Sequence, residues 1–266
     1  MGRKMNDPHV QSLRYRVSYS QCVDYSRADP LVHDAPGFSV RLAKDALIVT
    51  MGTRTATEEK ARALVEPFLR AWQIQAGLDL GPGEIGFSFE SADLIDRNPP
   101  PEDAHVVYVS AAVQAHSLVS ASVLVHRGHY PPPPECFNWT PDVETMYGHY
   151  SGYCQGREQL LHMAYFVLSM LEGRRERKAA ARHYKVAFKV LDTLGRLSAA
   201  GSPQDARKAP KKGDFRPLTD MQKQWVRAAV KRLIIRAGEC AAVGTGNLPE
   251  LGMADLPPLA ARSGGR

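Results

Sequence analysis

The pattern of hydrophobic and polar positions changes near the middle of the chain. In the first half, apolar residues alternate with polar ones or form short β-branched runs, a pattern that predicts strands. These segments are 14–20, 38–42, 46–51, 85–89, 105–110 and 117–126. One helix interrupts them: it begins after Thr57, has Glu58 and Glu59 in its first turn, and is predicted to bend or break at Pro67 and end near Ala76. The first half is therefore predicted to be α+β, a mainly antiparallel sheet with one long helix.

The second half has a helical period. Predicted helices cover residues 141–150, 157–172 and 174–197, and a last one begins where Thr219 and Gln222 form a capping box. The segment 157–172 is apolar on nearly every face, which is typical of a central, buried helix. This half is predicted to be an all-α domain.

Proline and glycine mark the predicted domain boundaries. The run Pro131–Pro134 is typical of a stiff spacer, and the residues after Gly244 are rich in Gly and Pro with few apolar clusters. We therefore predict an α+β recognition or assembly domain at 1–130, a proline-rich spacer at 131–140, a basic helical domain at 141–243 and a flexible tail at 244–266.

Composition narrows the class of protein. Of 266 residues, 44% are apolar and 23% charged, as in ordinary globular proteins, and the longest apolar stretch is too short to span a bilayer. The four cysteines are far apart, and His126 and His129 have a spacing that matches no established metal-ligand pattern. We expect a cytoplasmic protein with no membrane, metal or cofactor partner.

The two halves of the chain differ in net charge. Residues 1–150 contain 13 Lys and Arg against 18 Asp and Glu, a net charge of −5, whereas residues 151–266 contain 21 against 10, a net charge of +11. Such asymmetry indicates a polyanion or an acidic protein surface as the partner of the second half.

The positive charge is predicted to lie along helix faces. At 100° per residue, six basic side chains of segment 174–197 fall within about 80° of one another, and the last helix has a basic stripe of its own. The predicted nucleic-acid-binding residues are Arg174, Lys178, Arg182, Lys185, Lys189, Arg196, Lys208, Lys211, Lys212, Lys223, Arg227 and Lys231. Binding to RNA or DNA is the leading functional hypothesis, because phosphates require many positive groups along one surface. The alternatives are a basic face that meets only solvent, and docking of the acidic half of one copy on the basic half of another, which predicts a homo-oligomer.

Two resemblances concern the second half. The strings Gly156-Arg157-Glu158, Arg182-His183-Tyr184-Lys185 and Ala206-Arg207-Lys208 are similar to those of a group of uncharacterised bacterial proteins, which implies an intracellular bacterial protein. The spacing of Arg157 and His162 resembles the motif of HEPN-type ribonucleases. That resemblance implies catalysis by these two residues, with Arg157 stabilising the phosphate and His162 acting as acid and base.

Helix position favours a structural role for these histidines. His162 lies in the most apolar predicted helix, and His183 falls on the apolar side of its own helix, as core histidines do. Whether the protein is an enzyme is therefore left open by the sequence.

Overall fold

The computed structural model describes residues 7–98, 125–199 and 217–259. It divides the chain into two compact units, Met1–Pro133 and Pro134–Arg266. The first contains a five-stranded antiparallel sheet with one helix, and the second is built from helices, so the predicted α+β class is confirmed.

The N-terminal unit is organised around a long first strand. The sheet has the order β3-β4-β5-β1-β6, and β1 pairs with both β5 and β6 in antiparallel register. A short parallel pair joins β2 to β7. The strands are β1 Pro8–Tyr19, β2 Val23–Asp24, β3 Leu31–Ala35, β4 Phe38–Ala43, β5 Ala46–Met51, β6 Ile85–Asp96 and β7 Val125–His126. Of the segments predicted as strands, 105–110 and most of 117–126 lie outside the described residues.

Helix α1 (Glu58–Asp79) supplies the other half of this core. It begins as predicted, with the Thr57 hydroxyl accepting a hydrogen bond from the Lys60 N–H at 3.4 Å. It runs through Pro67 without the predicted break, since its buried face, including Trp72, packs against the sheet. Burial of that face outweighs the hydrogen bond that proline removes.

The residues before the predicted spacer are fixed to the N-terminal unit. The rings of Tyr25 and Tyr130 stack with centroids 5.1 Å apart, and the Tyr25 hydroxyl donates to the buried Glu84 carboxylate at 2.6 Å. Trp72 Nε1 donates to the Pro131 carbonyl at 3.0 Å. The first proline of the run is therefore part of a packed core, and the division between the units falls after Pro133.

Helix α3 is the centre of the C-terminal unit. It packs against all four of the other α-helices of this unit that the described residues contain, and its inner face includes Met163, Ala164 and Val167. The helices are α2 Pro141–Cys154, α3 Leu160–Glu172, α4 Arg177–His183, α5 Phe188–Ser198 and α6 Asp220–Val243, followed by 3-10 turns at Thr245–Asn247 and Met253–Asp255. The predicted capping box at Thr219 and Gln222 is present at the start of α6.

A close contact joins the start of this unit to α6. The Phe137 ring is buried against Gly238, and the Asn138 N–H donates to the Gly238 carbonyl at 3.1 Å. A Cβ atom at position 238 would overlap the Phe137 ring. Glycine at this helical position is thus required by packing.

We expect Gly238→Ala to lower the free energy of unfolding of the C-terminal unit by about 1–3 kcal/mol, because the added methyl group must displace the ring. Urea denaturation followed by circular dichroism measures this. The matched control is Gly148→Ala in α2, where a Cβ meets open space and helix propensity predicts a gain of about 0.5–1 kcal/mol. Equal behaviour of the two variants would contradict the Phe137–Gly238 contact.

Candidate functional site

The predicted helix 174–197 is broken in the middle. Helix α4 ends at His183 and α5 begins at Phe188. Between them Lys185 has a left-handed backbone with φ of 50°, which an L-residue within a helix does not adopt. The predicted single basic stripe is therefore wrong, because Arg174 precedes α4 and the other members lie on two helices and the turn between them.

A long-range backbone pairing stabilises this interruption of the helix. Val186 forms a parallel β-bridge with Leu251. The Leu251 N–H donates to the Lys185 carbonyl at 2.8 Å, and the Ala187 N–H donates to the Leu251 carbonyl at 2.9 Å. Backbone groups that a continuous helix would pair internally are thus satisfied by residues more than 60 positions away.

Leu251 belongs to the predicted flexible tail 244–266, of which the structure describes residues 244–259, and two leucines of this segment are packed into the unit. Leu251 and Leu256 are buried. The Arg236 guanidinium, only 1% exposed, donates to the Pro249 carbonyl at 2.6 Å, and its Nε lies 3.0 Å from Glu239 Oε2. The two spaced leucines were the sequence signal for this packing, and the surrounding Gly and Pro obscured it.

A concave pocket of about 670 Å³ lies at the break between α4 and α5. Three of its side chains are basic, one is aromatic and one is acidic. They are Lys178, Arg182, Lys185, Phe188 and Glu250, with Ala181 and Val186 completing the wall. The break therefore gathers three of the predicted binding residues around one cavity.

Phe188 gives this basic pocket an aromatic surface. Its side chain is 43% exposed although it is large and apolar, and Lys178 Nζ lies 6.0 Å from its ring centroid. An exposed ring beside cations is a surface on which a planar group can stack while its charge is neutralised.

Several other predicted binding residues have partners elsewhere in the unit. Arg196 lies 3.3 Å from Asp192 and Lys223 lies 3.2 Å from Asp220, while the Arg227 guanidinium sits over the Tyr153 ring. Arg174 and Lys189 are exposed and Lys231 is half-buried, and none of the six lines the pocket. Lys208, Lys211 and Lys212 lie outside the described residues.

Arg157 and His162 are not arranged as one helical motif. Helix α3 begins at Leu160, so Arg157 precedes it, exposed, with its guanidinium donating to Gln155 Oε1 at 3.0 Å. His162 lies on the helix and is half-buried. Neither residue is among those that line the pocket.

The histidine that has a carboxylate partner in this region is His149. Its Nδ1 lies 2.8 Å from both oxygens of Glu158, and its ring stacks on Phe166 with centroids 3.5 Å apart. This pairing fixes the loop before α3 to α2. His183, expected on the apolar side of its helix, is instead exposed at the end of α4, because the helix stops there.

The described residues contain neither a membrane-spanning helix nor a metal-binding cluster. No helix within 7–98, 125–199 or 217–259 is long and apolar enough to cross a membrane. In the same ranges, no three His, Cys, Asp or Glu side chains are grouped so that they could hold a metal ion.

Comparison of the chain with protein-family models, with curated proteins and with solved structures finds no match. The two resemblances seen in the sequence therefore stay predictions.

We expect Leu251→Ala to lower the free energy of unfolding by about 2–4 kcal/mol, because the side chain is fully enclosed and anchors residues 245–259. Urea denaturation measures the loss, and limited proteolysis should then cut within 245–259. The control is Val243→Ala on an exposed part of α6, for which a change below about 0.5 kcal/mol is expected. A Leu251→Ala variant as stable and as protease-resistant as the control would contradict the packed segment.

Proposed function

We propose that the C-terminal unit binds single-stranded nucleic acid at the pocket between α4 and α5. The observation that carries this proposal is the convergence of Lys178, Arg182 and Lys185 with the exposed Phe188 ring on one concave surface. Cations neutralise backbone phosphates, and an aromatic ring provides a platform for an unpaired base. In a duplex the base faces are already stacked, so an aromatic platform favours a single strand.

The three cations are available for phosphate. Among the described residues, none of them makes an ion pair with a carboxylate, in contrast to Arg177 and Arg196, which both contact Asp192. Within the described parts of the chain, phosphate binding therefore requires no ion pair to be broken. Neutralising three phosphates of a single strand predicts a slope of about −2 for the logarithm of the binding constant against the logarithm of the salt concentration.

The exposure of the Phe188 ring favours nucleic acid over an acidic protein as the partner. An acidic peptide would be held by the same cations, but it has no need of an exposed aromatic ring beside them. Phe188 is the first residue of α5, and it is not among the buried core residues of that helix.

The test measures binding of a mixed-sequence oligonucleotide of about 12 residues by fluorescence anisotropy between about 50 and 200 mM salt. Lys178→Glu with Arg182→Glu should weaken binding at least about tenfold, because two phosphate contacts are replaced by repulsion. Phe188→Ala should weaken it by about five- to a hundredfold through lost stacking. The charge-matched control is Arg41→Glu with Lys60→Glu, which changes two exposed residues of the N-terminal unit. Both double variants lower the net charge from +6 to +2. The binding constant of the control should stay within about twofold of the wild-type value.

Three outcomes would overturn the proposal. Equal losses in the two double variants would show that overall charge, and not the pocket, attracts the strand. Tight binding of poly-glutamate that is indifferent to Phe188→Ala would point to an acidic protein partner. Cleavage of the RNA that His162→Ala abolishes, with binding unaffected by Lys178→Glu and Arg182→Glu, would indicate the ribonuclease site predicted at Arg157 and His162 in place of the pocket.

A further inference from the structure

One carboxylate lies in the otherwise basic pocket. Glu250 is exposed and lines the cavity with Lys178, Arg182 and Lys185, yet among the described residues it forms no ion pair with any of them. A negative group weakens phosphate binding at such a site. Its presence therefore calls for a ligand group that a carboxylate recognises.

The position of Glu250 is fixed by backbone contacts on both sides. The preceding carbonyl, that of Pro249, accepts a hydrogen bond from the buried Arg236. The following residue, Leu251, is paired through its N–H and its carbonyl with Lys185 and Ala187. Ala187 directly precedes Phe188, so the same pairing positions the backbone at both Glu250 and Phe188.

An ionised carboxylate only accepts hydrogen bonds, with two oxygens side by side. Among the unpaired bases, guanine presents two adjacent donors on its Watson–Crick edge, the N1–H and the N2 amino group. Adenine and cytosine each place an acceptor beside their single amino group, and uracil places its N3–H between two carbonyl oxygens. A carboxylate therefore makes a bidentate contact with guanine and at best a single hydrogen bond with the other bases.

We infer that the pocket prefers guanine, with Phe188 stacking on the base, Glu250 accepting from its Watson–Crick edge and the three cations holding the adjoining phosphates. This inference rests on the proposed function and adds a base preference to it. It assigns Glu250 a role that phosphate binding alone does not explain.

The test uses uridine oligonucleotides of about 12 residues that differ at one central position, which carries G, A, C, U or inosine. The G-containing strand should bind about tenfold more tightly than the others, because a bidentate base contact discriminates by about that factor. Inosine keeps the N1–H and lacks the N2 amino group, so its strand should fall between G and U.

The variant Glu250→Gln distinguishes recognition of guanine by the carboxylate from repulsion of phosphate by its charge. The amide replaces one acceptor oxygen by a donor, and the preference for G should fall below about twofold while the all-uridine strand binds as well as before or better. The control is Glu135→Gln, the same change at an exposed position outside the pocket, which should leave every ratio unchanged.

Failure of the guanine preference and failure of the proposed function give different results. If no strand binds, the proposed function fails. If all strands bind alike, or if Glu250→Gln strengthens every strand by one factor without changing their ratios, the site binds single strands and the guanine preference is overturned.

Discussion

The pairing of Val186 with Leu251 is the constraint on which the arrangement of the C-terminal unit depends. It provides hydrogen-bond partners for backbone groups of Lys185 and Ala187 that would otherwise be lost where α4 stops. It also holds the segment after α6 against the turn. If the pairing were lost, we expect 174–197 to follow its own periodicity toward one helix, which would remove the concave surface between α4 and α5.

The basic residues of this unit divide into two groups by their partners. Arg177 lies 2.5 Å from Glu172, with its guanidinium over Gly195, and Arg236 is enclosed between Glu239 and the Pro249 carbonyl. These charges have their acceptors within the fold, as a buried or half-buried cation requires. The cations of the pocket have no such partners among the described residues, which agrees with the proposal that they bind an external anion.

Local features of the fold were predictable from the sequence. The caps at Thr57 and Thr219 and the strands at 38–42 and 46–51 depend on neighbouring residues, and the structure confirms all of them. The break at Lys185 was not predictable in this way. Neither Gly nor Pro lies between Gly173 and Gly195, and the residue that interrupts the helix, Leu251, is distant in sequence. The candidate site was only partly predictable for the same reason. The sequence identified the basic residues as a set. It did not show which three of them line one pocket with Glu250, because that depends on the contact between Val186 and Leu251, which periodicity does not encode.

A single strand bound as proposed lies on the Phe188 face of the pocket. Photo-crosslinking of a uridine-rich oligonucleotide that carries 4-thiouridine, followed by peptide mapping, locates the bound strand. We expect crosslinks to be concentrated on the peptide that contains Phe188 and to be strongly reduced by Lys178→Glu with Arg182→Glu. Crosslinks concentrated on α6 around Arg227, or on the N-terminal unit, would contradict it.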